Sequence, residues 1–228
     1  MKWSFVIQQK LKAAFLLSGI MVFIMLNSFI SQSSMDSIDQ SFSSIYEDRL
    51  IPAIDIVYLS EHLYSKRLLL EKALSNKNTE ELPHIAIQLN AHSKKMDSLI
   101  IAFEQTSLVE EEVKSLGAFK KNIQAYAALE KTIIQLGVNS SDEESRDLFY
   151  TQGSLIFEKS IKQLGELTKI QSVLGKELMK NSHTEAYYFN LLSTLQIASA
   201  IVVGILILEL IYSSKIINKD SKNPFHLN

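Results

Sequence analysis

Two uninterrupted apolar runs constrain this chain more than any other feature. They occupy residues 13–30, AAFLLSGIMVFIMLNSFI, and residues 191–212, LLSTLQIASAIVVGILILELIY. A helix needs about 20 mostly apolar residues to cross the hydrocarbon core of a bilayer. The first run holds no charge and the second holds one, Glu209. The sequence therefore reads as a two-span membrane protein with its mass between the spans. That layout suits sensing or holding better than chemistry.

Charge orients the spans. Lys2, Lys10 and Lys12 precede the first, and Lys215, Lys219 and Lys222 follow the second against Asp220. The positive-inside rule then puts both tails in the cytoplasm. The expected division is a cytoplasmic tail at 1–12, a span at 13–30, an extracytoplasmic segment at 31–190, a span at 191–212 and a short cytoplasmic tail at 213–228. All but two of the 25 acids and all but six of the 23 Lys and Arg lie in the central segment, which leaves it net acidic. An acidic surface argues against a nucleic-acid partner. The first run exceeds the 7–15 residues of a signal-peptide core and no A-x-A-like site follows it, so an uncleaved anchor is expected. The chain has no Cys, which excludes disulfides, thiol catalysis and thiolate metal sites.

Between the runs the pattern is helical, with three Pro and seven Gly in the whole chain. A first helix is expected to continue from the span to about Ser75. Its seam is Ile38, Phe42, Ile45, Arg49, Pro52, Ile56, Leu59, Leu63, Lys66, Leu70, a coiled-coil-like spacing of threes and fours, with a kink at Pro52. Asn78 and Glu81 suit the start of a second helix, with Pro83 in or near its first turn. Its seam is Leu82, Ile85, Leu89, His92, Met96, Leu99, Phe103. Ser107 with Glu110 reads as a capping box for a third helix through Val113, Leu116, Phe119, Ile123, Tyr126 and Ile133, which Gly137 would stop. Ser141 with Glu144 reads as another box. A fourth helix follows with the seam Tyr150, Gly153, Phe157, Ser160, Leu164, Leu167, Gln171, Leu174, Leu178, and feeds into the second span. Two long outer helices and two shorter inner ones predict an all-α, up-down-up-down antiparallel four-helix bundle on two transmembrane helices.

The stretch Tyr46-Glu47-Asp48-Arg49-Leu50-Ile51-Pro52, at this distance past a first span, resembles the Y-x-D-R-[LV]-x-P pattern of the four-helix-bundle ligand-sensing domain of bacterial methyl-accepting chemotaxis receptors. The architectural resemblance covers nearly all the chain. It implies a dimeric sensor in a bacterial inner (cytoplasmic) membrane, with amino acids or dicarboxylates bound near the outer end between the first and fourth helices. Such receptors continue into a HAMP linker and a cytoplasmic signalling region. Residues 213–228 carry neither, so a sensor without its own transmitter is expected, working as a homodimer or as a heterodimer with a full-length receptor or other membrane signalling protein.

Candidate residues follow. Within the motif, Tyr46, Asp48, Arg49 and Pro52 read as structural, because a buried charge is usually paired and Arg49 lies on the seam. Lys66 and Arg67 lie about nine residues below the outer turn. The same count down the fourth helix reaches Tyr150, Thr151 and Gln152. A cationic pair facing hydroxyls and an amide can hold a small carboxylate or amino acid, although charged faces are more often simply solvated. His92 on an apolar seam reads as a hydrogen-bonded core residue rather than a proton sensor. Ala200-x-x-x-Gly204 is a small-residue pair that packs either the chain's own spans or a second chain, and Glu209 either snorkels or meets a partner's polar group. No nucleophile, phosphate loop or metal set is present, and a di-iron bundle needs a second Glu-x-x-His beside Glu81-x-x-His84. The expectation is a non-enzymatic membrane-anchored sensor without cofactor or metal; the rival reading is a membrane-anchored scaffold of the cell envelope.

Overall fold

The computed structural model describes residues 2–75, 79–138 and 142–220. It is 97% helical, with no strand among the described residues. Helix α1 (Lys2–Ser44) passes through one π turn (Ile45–Leu50) into α2 (Ile51–Ser75). A 3₁₀ turn (Thr79–Glu81) leads to α3 (Leu82–Glu104), and α4 spans Glu110–Val138. Helix α5 (Asp142–Leu148) passes through a second π turn (Phe149–Gly153) into α6 (Ser154–Asp220). These make four helical rods, and the fold is the expected four-helix bundle. The predicted caps at Asn78 and Ser141 lie outside the described residues.

The chain divides into two compact units. One is the bundle, Ser41–Lys180; the other joins the segment up to Gln40 with the segment from Asn181 onward. The bundle core is one apolar cluster, in which Leu59, Leu63, Leu70, Phe103, Phe119, Tyr126, Phe149 and Leu167 are completely enclosed. Full burial of one such aliphatic or aromatic side chain stabilises by about 1.5–3 kcal/mol. The 3.5-residue period explains the selection, because it keeps one stripe of each helix facing its neighbours over several turns.

The two π turns are the main departure from a simple helical reading. At the first, the Ile51 N–H bonds the carbonyl of Tyr46. At the second, the Ser154 N–H bonds that of Phe149. Each wide turn absorbs an extra residue and so shifts the phase of the stripe. Along the fourth rod Ser145, Phe149, Gly153 and Phe157 are all buried. Three successive steps of four would drift off one face of an ideal helix, and the π turn cancels that drift. Phe149 consequently takes the core position expected for Tyr150, which is 63% exposed. In the first rod the disturbance expected as a Pro52 kink takes the form of the π turn before it, and Phe42 is exposed.

Four further expectations are corrected. Val113 is exposed, and Glu112 is the buried residue of that turn. In α3, Ile100 is buried more deeply than Leu99. The Ser107–Glu110 box does not form: α4 begins at Glu110, and the Glu112 carboxylate instead accepts the Val109 N–H at 2.9 Å. That is the reciprocal half of a capping box, shifted by two residues. Gly137 does not stop its helix, which continues to Val138; a methyl group added at Gly137 would meet Leu82 at 3.6 Å, so the glycine lies against the start of α3.

In the second unit, the apolar windows of the two helices have mean hydropathies of 1.8 and 2.4, and almost none of their residues is buried. Both helices are long and apolar enough to cross a membrane. Gly19, Ile20 and Phe23 of the first and Leu195, Ala198, Ser199 and Val202 of the second line one shared groove. The Asn27 side-chain amide donates to the Leu192 carbonyl at 2.8 Å and is itself buried. An inter-helix bond of this kind gains value where no water competes for the donor.

Candidate functional site

Charged seam residues set the chemistry of the bundle interior. Acids stand at Glu112 and Glu130 on α4, and cations at Arg49 and Lys66 on the first rod. The Arg49 Nη1 lies 3.2 and 3.1 Å from the two Glu112 oxygens, and Nη2 donates to the Ser107 carbonyl at 3.0 Å. The Lys66 Nζ sits 3.0 Å from Glu130 Oε2 and donates to Ser93 Oγ at 2.8 Å. The two cations are seventeen residues apart and the two acids eighteen. Both intervals correspond to roughly 26 Å of helix, so two rods running in the same direction place both pairs in register. All four residues are at least nine-tenths buried.

Around Arg49 the motif binds the turn between α3 and α4. Asp48 Oδ1 accepts the Ser107 N–H at 3.0 Å, and Oδ2 accepts the Ser44 hydroxyl at 2.8 Å. Burial alone would push the Asp48 carboxyl up, but the bonds from Ser107 and Ser44 and the Arg49 charge outweigh it and hold the group below its usual range. Pro52 is buried, and Tyr46 is 58% exposed.

Arg67 occupies a different setting. Its guanidinium carbon lies 4.7 Å from the ring centre of Phe157 and 5.3 Å from that of Phe149. Stacking on aromatic faces is favourable for a weakly hydrated planar cation. Nε faces Glu71 Oε1 at 3.4 Å and Nη2 donates to Ser154 Oγ at 3.3 Å. This cation lies between the first and fourth rods.

The expected five-residue cluster is therefore not assembled as drawn. Lys66 faces α3 and α4 and is occupied by Glu130 and Ser93. Arg67 reaches the fourth rod but meets Phe149, Ser154 and Phe157. Tyr150, Thr151 and Gln152 are exposed, and the Thr151 hydroxyl donates to the Asp147 carbonyl at 2.6 Å. The physical reason is the second π turn, which rotates Phe149 into the core and Tyr150 out. Ala200, Gly204 and Glu209 are likewise exposed, with Ala198, Ser199 and Val202 on the side toward the first helix.

A family model described as a four helix bundle sensory module for signal transduction matches residues 4–186. The chain belongs to this family. No curated protein matches it significantly. The sensory module supports a role as a sensor in signal transduction, and its two long apolar helices are consistent with a membrane protein. No cluster of three or more metal-binding side chains occurs among the described residues.

Several interior partners in this sensory module escaped the sequence. Glu112 and Glu130 continue the α4 stripe of Leu116, Phe119, Ile123, Tyr126 and Ile133 in alternating threes and fours. An acid at such a position was the available signal. Phe149 had no usable signal, because a π turn has no strong local signature. Glu130 pairs with Lys66 through Oε2 only; Oε1 is buried without a hydrogen-bond partner. Burial pushes the Glu130 carboxyl up to about 7 against the opposing pull of Lys66.

His62 and His92 join α2 to α3, with Nδ1 atoms 3.2 Å apart and edge-to-face rings. One nitrogen must donate and the other accept, so the contact needs at least one neutral ring. Burial depresses both rings, with Lys95 adding for His62, and His62, Lys95 and Lys66 adding for His92; Glu61 opposes in each case. A depressed folded pKa contributes stability that is full above the unfolded value, near 6.5, and is lost as pH falls. Glu130 acts with the opposite sign, its contribution falling as pH rises from about 4.5 toward 7. The difference between proteins isolates the pair: His62→Gln with His92→Gln is expected to lose less melting temperature than the parent between pH 7 and pH 5. Equal losses in a circular-dichroism melt would show that the pair does not titrate on unfolding.

Proposed function

We propose that this chain is a membrane-anchored sensor whose bundle lies outside the cytoplasm and passes a change in the fourth rod to another membrane protein. Residues 31–190 form the extracytoplasmic part in this reading, with both tails inside, in keeping with the lysine distribution. The observation that carries the reading is the family match together with helix α6, which runs from Ser154 to Asp220 without a break. A displacement of about 1–2 Å at the Arg67–Ser154–Phe157 contact is within the usual range for packed helices. An unbroken hydrogen-bond ladder would carry it along α6.

The ligand in this reading is a small carboxylate or amino acid. Glu71 and Ser154 engage Nε and one N–H of Nη2 of Arg67, which leaves guanidinium N–H donors through which a carboxylate is held. The module works as a dimer. Leu50, Ile54, Val57, Tyr64 and Leu68 are exposed along α2 and the preceding turn, and with Glu61 they are spaced 4, 3, 4, 3, 4. A second coiled-coil stripe on the outer side of the same rod is self-complementary about a two-fold axis. Ala200 and Gly204, exposed on their helix, suit close approach of a second chain in lipid.

Calorimetry on the full chain in nanodiscs, with a panel of small acids and amino acids, tests the sensor. Binding of a panel member, weakened at least tenfold by Arg67→Ala, is expected. Absence of any binding, with a co-purifying envelope protein unaffected by Arg67→Ala, would favour the scaffold instead.

A further inference from the structure

Between α3 and α4 lies a cavity of about 330 Å³ whose lining includes Leu89, Ser93, Ala127, Glu130, Lys131 and Ile134. It is separate from the Arg67 contact, since α6 contributes nothing to its lining. Its volume lies at the lower end of the range for small-molecule sites. Glu130 is 5% exposed and lines it, and Oε1 of that side chain has no hydrogen-bond partner. An unpaired carboxylate oxygen at such depth is costly. Ser93 does not relieve it, because its hydroxyl donates to the Leu89 carbonyl at 3.1 Å and accepts from Lys66.

We infer that this cavity binds a small zwitterion bearing a primary ammonium group, of the amino-acid or aminosulfonate type, with the ammonium on Glu130 Oε1 and the anionic group toward Lys131. The inference rests on the sensor reading and gives it a second, distinct location. At pH 7.5, above the value of about 7 to which burial raises this carboxyl, the unpaired oxygen is mostly unprotonated and accepts, so the ligand must donate. Lys66 already balances Glu130 through Oε2, and Lys131 adds a further positive charge. A simple cation would therefore meet a net positive lining, and a simple anion would leave Oε1 unpaired. A molecule carrying both charges satisfies each end at no net charge. Leu89, Ala127 and Ile134 accommodate a short alkyl portion between them. Occupancy would draw α3 and α4 together around one molecule and lower the proton affinity of Glu130.

The test uses the full chain in nanodiscs at pH 7.5, with calorimetric titration of valine, γ-aminobutyrate and taurine. Their controls are propylamine, propionate and a trimethylammonium analogue that has no N–H donor. At least one zwitterion is expected to bind, with every control at least tenfold weaker. Ala127→Leu, which fills the cavity and leaves the ion pair in place, and Lys131→Gln are each expected to weaken binding at least tenfold. Glu130→Gln is expected to abolish it; where that variant fails to fold, Ala127→Leu and Lys131→Gln decide. Zwitterion binding that Arg67→Ala removes and Ala127→Leu spares would overturn this site and keep the sensor. Tight binding of the trimethylammonium analogue would overturn the Glu130 contact. No binding by any compound here or in the acid panel would remove both readings.

Discussion

Glu112→Ala is expected to destabilise the bundle by about 3–5 kcal/mol, the usual cost of leaving one member of a buried ion pair alone. Two losses combine. The Arg49 guanidinium loses both oxygens at 3.1–3.2 Å, and it cannot shed its proton to escape. The Val109 N–H loses its acceptor at the start of α4. The remaining partner, the Ser107 carbonyl at 3.0 Å, is neutral and cannot balance the charge. Denaturant unfolding followed by circular dichroism measures the effect. The double variant Arg49→Met with Glu112→Leu is expected to recover most of the loss, because a pair replaced by apolar groups of similar volume is often close to neutral. A single variant within about 1 kcal/mol of the parent would show that the pair is solvated.

Lys66→Met is expected to behave differently, although its partner is buried to a similar degree. Glu130 can take up a proton, and its carboxyl already titrates at about 7. Its folded pKa is raised above the unfolded value. Its contribution to stability is therefore whole below about pH 4.5 and is lost as pH rises through the folded pKa. Removing the ammonium 3.0 Å away raises that pKa further and deepens the loss on the alkaline side. The gap between the parent and Lys66→Met should be small at pH 5 and approach about 3–5 kcal/mol at pH 8. Denaturant titrations at the two pH values read it directly. A gap of equal size at both would mean that Glu130 is not the group responding. The contrast between the two pairs rests on proton chemistry, since guanidinium stays charged and a carboxyl does not have to.

Much of the bundle was legible because its helices are long and their apolar residues recur in threes and fours. Leu59, Leu63 and Leu70, or Leu82, Ile85, Leu89 and Met96, have no other arrangement that hides them all. The same periodicity marked Arg49 and Lys66 as interior cations. It carried equal information about Glu112 and Glu130, whose positions complete the α4 stripe. Polar residues on a stripe, rather than apolar ones, are where such a reading finds its interior chemistry.

The errors cluster at changes of phase. Phe42 lies three residues before one π turn and Tyr150 lies inside the other, and across each the wider backbone loop changes the phase of the side chains on its two sides. Ser107 is a good cap by local chemistry, yet its N–H and carbonyl are used by Asp48 and Arg49 from the first rod. Such competition between a local bond and one fifty-eight or fifty-nine residues away has no trace in a short window of sequence.

What the amino-acid order alone determined was the helical class, the two membrane-length helices and most of the seam of each rod, because burial of apolar stripes and the length of a helical turn are properties of single segments. Only the folded bundle decided which cation meets which acid, which aromatic rings lie beside Arg67, and that one oxygen of Glu130 is buried without a hydrogen-bond partner. Those outcomes depend on the relative rotation of neighbouring rods, and that rotation is an angle no segment possesses by itself.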